Sequence, residues 1–248
     1  MSRVPTQTES GVQVIARAAQ ILRELSHTNQ AKSLSELAKK LELPRSTVHR
    51  IITALETEHL VGRAGERDGY RLGMGLIPLG QSARNWIGQG LRPQLEQLSS
   101  DLGETVDVSV REGNTVIFIE QFVAQNRLQV VSGVGLSFPL YCTANGKALL
   151  AELSDAQIIK MLPEKLEAYT PNTIISRKKL LLEIAEVRKT KIAFDREEYT
   201  IGICAAGMVM NQAHRGSIAV SVPVPVQRFY GQKQIIAKAL SKAMKTLR

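Results

Sequence analysis

The stretch LPRSTVHRIITALE, residues 43–56, decides how the first part of the chain is interpreted. When it is rotated at about 100° per residue, its apolar side chains fall on one helical face: Val48, Ile51, Ile52 and Leu55. Arginine, serine, histidine and threonine occupy the opposite face, and no carboxylate lies between Glu42 and Glu56. Pro44 suits the first helical position, because its φ is already helical and its missing N–H would have no partner there. The stretch therefore predicts a helix with a cationic, donor-rich face.

Two further helices are predicted before this one. Residues 12–25 carry an apolar stripe at helical spacing, formed by Ile15, Ala18, Ala19 and Leu22. Residues 33–41 begin with Ser33 and Glu36 at the spacing of a capping box and continue with a second stripe. A short turn then leads into the polar third helix. Two helices, a tight turn and a third helix of this kind predict a helix-turn-helix.

The residues after the third helix predict a β-hairpin wing. Residues 60–73 consist of two short strand-like runs around Asp68-Gly69, a dipeptide typical of tight hairpin turns. Arg63, Arg67 and Arg71 are spaced along it, where they suit contacts with the phosphate backbone that carry little sequence information. Acidic residues in the same hairpin dilute its charge, so we expect the helix to contribute more to binding than the wing.

The polar face of the third helix suits a nucleic acid. Uncapped N–H groups in a first helical turn can hold a phosphate, and Arg or His side chains can reach base edges in the major groove. The net charge of +9, from 32 lysines and arginines against 23 acidic residues, also favours an anionic partner, whether nucleic acid or membrane. The alternative interpretation is the solvated side of an ordinary surface helix. We expect DNA contacts from Arg45, Ser46, Thr47, His49, Arg50, Thr53, Arg63 and Arg67. Among them we expect Thr47 to contact phosphate and Arg50 to contact a base.

Three segments stand in a fixed order along this part of the chain: IARAAQIL, SLSELAKKLELPRSTVHRIITALE and YRLGMGL. In that order they resemble the DNA-binding domain of the IclR family of bacterial transcriptional regulators. The resemblance implies a homodimer or tetramer that binds double-stranded operator DNA. Its half-sites would lie about 34 Å, or a multiple of that distance, apart.

Residues 75–103 are expected to connect two domains. Leu76, Leu79, Ala83, Trp86 and Ile87 fall on roughly one side of a helix that should end near Gly88. Glycines and a proline then interrupt the pattern. We therefore predict a DNA-binding domain over residues 1–75, a helical linker over 76–95 and a second domain over 96–248. The linker helix either packs on its own domain or contacts a second subunit, Trp86 above all.

The second domain is predicted to be α+β. Residues 104–122 alternate apolar and polar side chains around Gly113-Asn114, which predicts a hairpin. Residues 127–133 and 217–224 predict further strands. Helical spacing recurs over residues 154–163, 177–189 and 232–247.

Motifs for catalysis and metal binding are missing from the sequence. It contains no GxSxG, Walker-type loop, HExxH or CxxC. One pairing stays open, with Cys204 as nucleophile and His214 as its base. A lone cysteine in GICAAGMVM is more often a small buried residue. We expect no catalytic residues, no metal and no cofactor, and hence no enzyme.

Two later segments extend the family resemblance: FPLYCTANGKALLAEL, residues 138–153, and AFDREEYTIGICAAG, residues 193–207. They resemble the effector-binding domain of the IclR family, which has a GAF-like fold of a sheet flanked by helices. The resemblance implies a small organic effector, either a carboxylate or an aromatic catabolite. It also implies a pocket that contains Phe138, Ala144, Asn145, Asp195, Cys204 and Ser221.

The match departs from the family pattern in two places. The segment from Asp195 to Cys204 is one residue shorter than the pattern predicts, and Pro223 stands where a second serine is expected. The alternative to effector binding is a purely structural role, with Asp195 at the end of an element and Ser221 on an ordinary strand. We expect Lys147 to have a solvated head over a packed stem.

The sequence thus predicts a cytoplasmic, DNA-binding transcriptional regulator, repressor or activator, whose operator binding responds to an effector. The N-terminus lacks the apolar run of a secretory signal, and no stretch approaches the roughly 18 apolar residues of a membrane span. Two widely spaced cysteines fit a reducing compartment. The alternatives are a metabolic enzyme with a regulatory DNA-binding domain and an architectural DNA binder without effector control.

Overall fold

The computed structural model describes residues 7–26, 30–65, 69–88, 91–212 and 216–246. The chain divides into two compact units, Met1–Asn85 and Trp86–Arg248, and each has its own hydrophobic core. The domain boundaries at residues 75 and 95 stay predictions. Arg67, Asp68 and His214 lie outside the described residues, as does the side chain of Trp86.

The first unit is the winged helix-turn-helix that the sequence predicted. Its elements in chain order are α1 (Gln7–Ser26), α2 (Leu34–Lys40), α3 (Arg45–Thr57), β1 (Val61–Arg63), β2 (Tyr70–Leu72) and most of α4 (Leu76–Gly88), which ends just past the unit boundary. Ser33 and Glu36 form the capping box at the start of α2. Strands β1 and β2 pair antiparallel as the wing. Helix α3 begins at Arg45, one residue later than predicted, because Pro44 has an extended ψ of 135° and serves as the N-cap.

Helix α3 is held by its apolar face. Val48, Ile51, Ile52 and Leu55 are buried in one cluster with Ile21, Leu25 and Leu37 of the two preceding helices. This burial fixes the rotation of α3, so the residues on its other side must face solvent. The helical period therefore predicts both faces of α3 correctly.

The wing is also tied to the segment before α2, which the sequence pattern did not predict. The N–H of Lys32 donates to the carbonyl of Tyr70 at 2.9 Å, and the N–H of Tyr70 donates back at 2.8 Å. Gly69, with φ of +90°, lies so close that a Cβ there would stand 2.7 Å from the Lys32 carbonyl oxygen. A glycine is therefore required at this position for both its backbone conformation and its lack of a side chain.

The second unit contains a six-stranded antiparallel sheet in the order β5-β4-β3-β8-β7-β6. The strands are β3 (Val106–Glu112), β4 (Thr115–Phe122), β5 (Ser137–Pro139), β6 (Ala193–Arg196), β7 (Ile203–Gln212) and β8 (Gly216–Pro225). The helices are α5 (Arg92–Leu102), α6 (Ala144–Leu150), α7 (Asp155–Met161), α8 (Arg177–Thr190) and α9 (Val226–Thr246), with a 3₁₀ turn at Leu140–Cys142. The predicted α+β class is confirmed.

Alternation along the strands separates the two faces of this sheet. Val220 and Val222 of β8 belong to an apolar core with α5 and α9. Their neighbour Ala219 belongs to a second core, which includes residues of α6, α7 and α8. Ser221 shares the face of Ala219, because successive side chains on a strand point to opposite sides. The first face is continuously apolar, while the second carries polar groups.

Some predicted elements differ from those observed. The hairpin around Gly113-Asn114 is confirmed as β3 and β4, but residues 127–133 form no strand. The edge of β4 is paired with the short strand β5 instead, and the preceding loop follows an irregular path with Gly133 at φ +87°. Helix α9 begins at Val226, six residues before the predicted start at residue 232. None of the helices in the described residues is long and apolar enough to cross a membrane.

Helix α6 packs very close to the 3₁₀ turn that precedes it. A Cβ at Gly146 would lie 2.2 Å from the carbonyl oxygen of Leu140 and 2.5 Å from its Cα. These contacts are with backbone atoms, so they cannot be relieved by a side-chain rotation. Gly146 therefore sets the position of α6.

The neighbouring Lys147 contradicts our expectation of a solvated head. It is fully buried, and its Nζ donates to Glu198 Oε1 at 2.6 Å and to Glu183 Oε1 at 3.3 Å. Arg196 also donates to Glu183 Oε1, at 3.0 Å. Burial alone would raise the pKa of Glu183, but the charges of Lys147 and Arg196 and hydrogen bonds from both outweigh burial and lower it. The ammonium stays inside because these carboxylates replace its water.

We predict that Gly146→Ala destabilises the protein by about 3 kcal/mol, because the added methyl group meets backbone atoms and forces α6 outward. The matched control is Gly231→Ala in α9, where a Cβ meets nothing within 4 Å. That change should stabilise the protein by about 0.5–1 kcal/mol, because alanine loses less entropy in a helix. Urea unfolding of both variants measures the difference. Equal effects at the two glycines would contradict the close approach of α6.

We also predict that Lys147→Met costs about 3–5 kcal/mol of unfolding free energy, because it leaves Glu198 buried without its cation. Adding Glu198→Gln to that variant should recover much of the loss. Lys189→Met is the control, since Lys189 pairs with Glu186 at the surface and such pairs contribute less than about 1 kcal/mol. A small loss for Lys147→Met would show that the buried ion pair does not hold α6.

Candidate functional site

The predicted DNA-contacting residues of α3 lie on one solvent-facing side. Arg45, Ser46, His49, Arg50 and Thr53 are exposed, and Thr47 is half-buried. The first turn contains no acidic residue, and its N-cap is a proline that makes no side-chain capping bond. Backbone N–H groups in this turn are therefore suited to receive a phosphate oxygen. The arrangement combines positive charge with donors at a helix end.

Two of the residues predicted to contact DNA, Thr53 and Arg63, already have partners within the protein. The hydroxyl of Thr53 donates to the carbonyl of His49 at 3.0 Å, so its proton is already engaged. The guanidinium of Arg63 is exposed, but its Nε lies 3.2 Å from Glu56 Oε1 and its Cζ lies 5.5 Å from the ring centre of Tyr70. The charge of Arg63 is therefore partly balanced within the protein. Arg71, on β2, is also exposed.

The second unit contains a cavity of about 140 Å³ between the polar face of the sheet and the start of α6. Sixteen residues line it: Asp107, Phe118, Val130, Val131, Ser132, Phe138, Thr143, Ala144, Asn145, Asp195, Tyr199, Thr200, Ile203, Ala205, Ser221 and Pro223. Five of the six residues inferred from the family pattern are among them: Phe138, Ala144, Asn145, Asp195 and Ser221. They lie on four separate elements, β5, α6, β6 and β8, and the fold brings them together.

Cys204 does not line the cavity. It belongs to the apolar core with α5 and α9, while the next residue, Ala205, lies at the cavity wall. Successive side chains on a strand point to opposite faces, so Cys204 and Ala205 of β7 cannot both face the cavity. Burial raises the pKa of the Cys204 thiol to about 11, so it stays protonated near neutral pH and is a poor nucleophile.

One wall of the cavity is aromatic. The rings of Phe118 and Phe138 meet edge to face with centres 5.1 Å apart, and Phe138 and Tyr199 do so at 4.9 Å. Edge-to-face contacts of this kind hold rings in fixed orientations. The wall is therefore a rigid apolar surface that suits a flat or apolar ligand.

The opposite side of the cavity is polar. Asn145 donates from Nδ2 to the hydroxyl of Ser109 at 2.7 Å, so one of its two amide N–H groups is already engaged. The hydroxyl of Thr143 donates to the Pro139 carbonyl at 3.1 Å and accepts the N–H of Gly146 at 3.2 Å. These bonds fix the start of α6 relative to the sheet.

Asp107 is a cavity residue that our sequence interpretation missed. One oxygen accepts Gln121 Nε2 at 2.7 Å and the other accepts the hydroxyl of Ser132. Burial raises the pKa of Asp107 to about 6, although these two hydrogen bonds act to lower it. The signal in the sequence was a carboxylate at an inward position, between Val106 and Val108 of a buried strand.

Asp195 is the second buried carboxyl group of the cavity. Burial raises its pKa to about 7, and the charge of Glu198 adds to this. The N–H of Glu198, which donates to Asp195 at 2.8 Å, and the cations of Lys147 and Arg196 oppose the shift. Since the folded pKa lies above the reference value of 3.8, this group favours the folded state at low pH and loses that contribution as pH rises through about 7.

Comparisons with known proteins match both units. The family model for the IclR helix-turn-helix domain matches residues 14–65. The model for the C-terminal domain of bacterial transcriptional regulator IclR matches residues 83–247. An IclR transcriptional regulator from Alicyclobacillus acidocaldarius has a similar solved structure, with a TM-score of 0.81 and 28% identity over 95% of this chain and 97% of that one. An IclR homologue from Microbacterium hydrocarbonoxydans, complexed with 4-hydroxybenzoate, shares the fold at a TM-score of 0.75 and 21% identity, over 95% and 99% of the two chains.

Curated relatives are similar along most of their length. An HTH-type transcriptional regulator of Mycobacterium tuberculosis is 45% identical over 97% of this chain and 93% of its own. The transcriptional repressor IclR of Escherichia coli is 31% identical over 88% of this chain and 81% of its own. Since both units match their family models and the similarity extends along the chains, this protein belongs to the IclR family of bacterial transcriptional regulators.

Proposed function

We propose that this regulator binds operator DNA through the exposed face of α3, and that a small organic effector in the cavity changes its affinity for that DNA. The observation that carries the proposal is the pairing of two sites in one chain. The first unit has a solvent-facing helix face without a carboxylate from residue 45 to residue 55, and the second has a cavity with convergent polar groups. The protein would act in the cytoplasm, where operator DNA is found.

The geometry of α3 supports entry into a major groove. The groove is wide enough for a helix, and residues at the N-terminal part of a recognition helix usually contact base edges. Arg50 is exposed on this part of α3 and has a planar guanidinium that can bond a guanine with two donors. We assign base contact to Arg50, phosphate contact to Thr47, and mixed contacts to Arg45, Ser46 and His49. Arg63 and Arg67 would contact the backbone from the wing.

The cavity supports control by an effector. Small-molecule sites are concave and mostly apolar, with a few placed polar groups that fix orientation, and the cavity has this composition. The same fold holds 4-hydroxybenzoate in the Microbacterium homologue. An effector changes DNA affinity only if it binds the DNA-competent and DNA-incompetent states differently. A homodimer with two winged domains, or a tetramer with four, would provide such states.

The two alternative functions have less support. A metabolic enzyme that uses the nucleophile considered from the sequence has less support, because Cys204 lies on the other face of the sheet from the cavity. An architectural DNA binder has no use for a cavity with two buried carboxyl groups, which lower stability when they ionise. Effector control explains both features.

We predict that Arg50→Ala relaxes operator preference by about 1–3 kcal/mol at one base pair, because it removes a two-donor base contact. Arg71→Ala, on the wing, is the matched control. It should weaken binding to all sequences similarly and reduce the salt dependence by about one phosphate contact. Competition binding with single-base operator variants at two salt concentrations measures both effects. A uniform loss for Arg50→Ala would assign that residue to phosphate instead.

We also predict that an effector stabilises the protein and shifts its operator affinity. A specific ligand at 100 times its Kd stabilises the folded state by about 2.7 kcal/mol, which a thermal shift detects. Compounds found in such a screen of small acids and aromatics should change operator affinity in fluorescence anisotropy. By linkage, operator DNA should change the affinity for the same compound by an equal factor. A compound that binds the cavity but leaves operator affinity unchanged would contradict effector control.

A further inference from the structure

The cavity carries two carboxyl groups, those of Asp107 and Asp195, and both side chains are buried. Among its sixteen lining residues, none is a lysine, arginine or histidine. The only charges that the lining residues can present to a ligand are therefore the negative charges of these two carboxylates. This differs from the carboxylate-receiving pocket that the family pattern led us to expect.

The two carboxyl groups lie on well-separated parts of the wall. Asp107 is on β3 and Asp195 is on β6, and β8 and β7 lie between them in the sheet. Three strand spacings correspond to about 14 Å across a sheet. Helix α6 packs over the strands between them, where Gly207 of β7 lies close to Ala144. A ligand between the two acids therefore has an acceptor near each end and the start of α6 above its middle.

The nearest cations are directed elsewhere. Lys147 Nζ contacts Glu198 and Glu183, and Arg196 contacts Glu183. Neither residue lines the cavity. Both are hydrogen-bonded to interior carboxylates, and their charges only partly offset the effect of burial on Asp195.

One feature of the cavity does favour an anion, namely that α6 starts at its wall. The helix has only seven residues, and the N–H of Gly146 in its first turn is already bonded to Thr143. A helix end contributes a partial charge of about half a unit at most. Two full carboxylates outweigh it once they are ionised.

The dimensions of the cavity limit the ligand to one ring. Its volume of about 140 Å³ is close to that of an engineered apolar cavity of about 150 Å³ that binds benzene. The aromatic wall of Phe118, Phe138 and Tyr199 provides a matching surface for a ring face or edge. A ring with one short polar substituent at each end fits both the volume and the placement of the acids.

We infer that the cavity selects an uncharged single-ring compound with a hydrogen-bond donor at each end, and rejects the corresponding carboxylate at neutral and higher pH. This inference rests on the proposed function, because it specifies the chemical class of the effector. A hydroxyl donates to a carboxylate, whereas a carboxylate ligand brings a second negative charge beside it. At an effective dielectric constant near 20, two such charges about 6 Å apart lower affinity by about 100-fold.

The test compares three ligands of nearly equal shape: 4-hydroxybenzyl alcohol, 4-hydroxybenzoate and 4-hydroxybenzylamine. Isothermal titration calorimetry on the full chain at pH 8 should show the alcohol binding at least 10-fold more tightly than the benzoate. At pH 5.5 the difference in affinity between the alcohol and the benzoate should be smaller, because Asp107 and Asp195, with pKa values of about 6 and about 7, take up protons. 4-Hydroxybenzoate has a pKa of about 4.5 and stays ionised at pH 5.5. A smaller difference in affinity at this pH would therefore come from protonation of the cavity carboxyl groups.

Other ionisable groups near Asp195 are Glu198, Lys147, Arg196 and the thiols of Cys142 and Cys204. For Asp107, the contacts are the uncharged Ser132 and Gln121. The role of the two carboxyl groups is checked with Asp107→Asn and Asp195→Asn. Each change should reduce the difference in affinity between the alcohol and the benzoate at pH 8. Asp101→Asn is the control, since Asp101 is exposed on α5 and bonds Gln97. If an asparagine variant fails to fold, the pH comparison on the unaltered chain still decides.

Several outcomes would overturn the inference. Benzoate binding as tightly as the alcohol at pH 8 would show that the acids do not govern selectivity. Tightest binding of the amine would make the cavity a cation site. If none of the three compounds binds at a concentration of about 5 mM, the single-ring class of ligand is excluded. None of these outcomes tests effector control itself. That proposal is tested separately, by whether any compound that binds the cavity changes the affinity for operator DNA.

Discussion

Helix α6 can pack on the sheet only because two adjacent residues meet two different constraints. Gly146 leaves room for the Leu140 backbone, and Lys147 finds Glu198 and Glu183 inside the protein. A side chain at the first position or an unpaired charge at the second would push the helix outward. Ala144 and Asn145, at the start of the same helix, form part of the cavity wall. The shape of the cavity therefore depends on a close backbone contact and a buried ion pair, and the residues that form them do not line the cavity.

Charge is distributed unevenly along the chain, and the distribution matches the two sites. The exposed face of α3 has no carboxylate in its first turn, whereas the cavity has carboxyl groups and no lining cation. The excess of nine positive charges therefore says little about the cavity, even though it describes the chain as a whole. Net charge is an argument about long-range attraction, and local chemistry decides what a buried site accepts.

Local patterns predicted the first unit well, because a helical period determines which side of α3 is buried. The second unit depends on contacts between residues far apart in sequence, and these are harder to predict. The carboxylates that stabilise the buried Lys147 follow it by 36 and 51 residues in the sequence, so no local pattern predicts this contact. Cys204 was placed in the pocket from the family pattern, but its side chain lies in the apolar core on the other face of the sheet. The same pattern identified five residues on four elements that line the cavity: Phe138, Ala144, Asn145, Asp195 and Ser221.

The cavity is better understood through what it excludes than through what it attracts. Asp107 already accepts hydrogen bonds from Gln121 and Ser132, and Asp195 accepts one from the N–H of Glu198, so a ligand donor adds to these bonds. A ligand that carries a negative charge is instead repelled by both carboxyl groups once they are ionised. Sites built to bond a hydroxyl discriminate strongly against analogues without one, whereas apolar pockets distinguish neighbouring sizes only weakly. The aromatic wall thus sets the size and orientation of the ligand, and the two acids set its charge. Because both acids are themselves partly protonated near neutral pH, this selectivity is a property of the cavity that varies with pH while the fold around it stays the same.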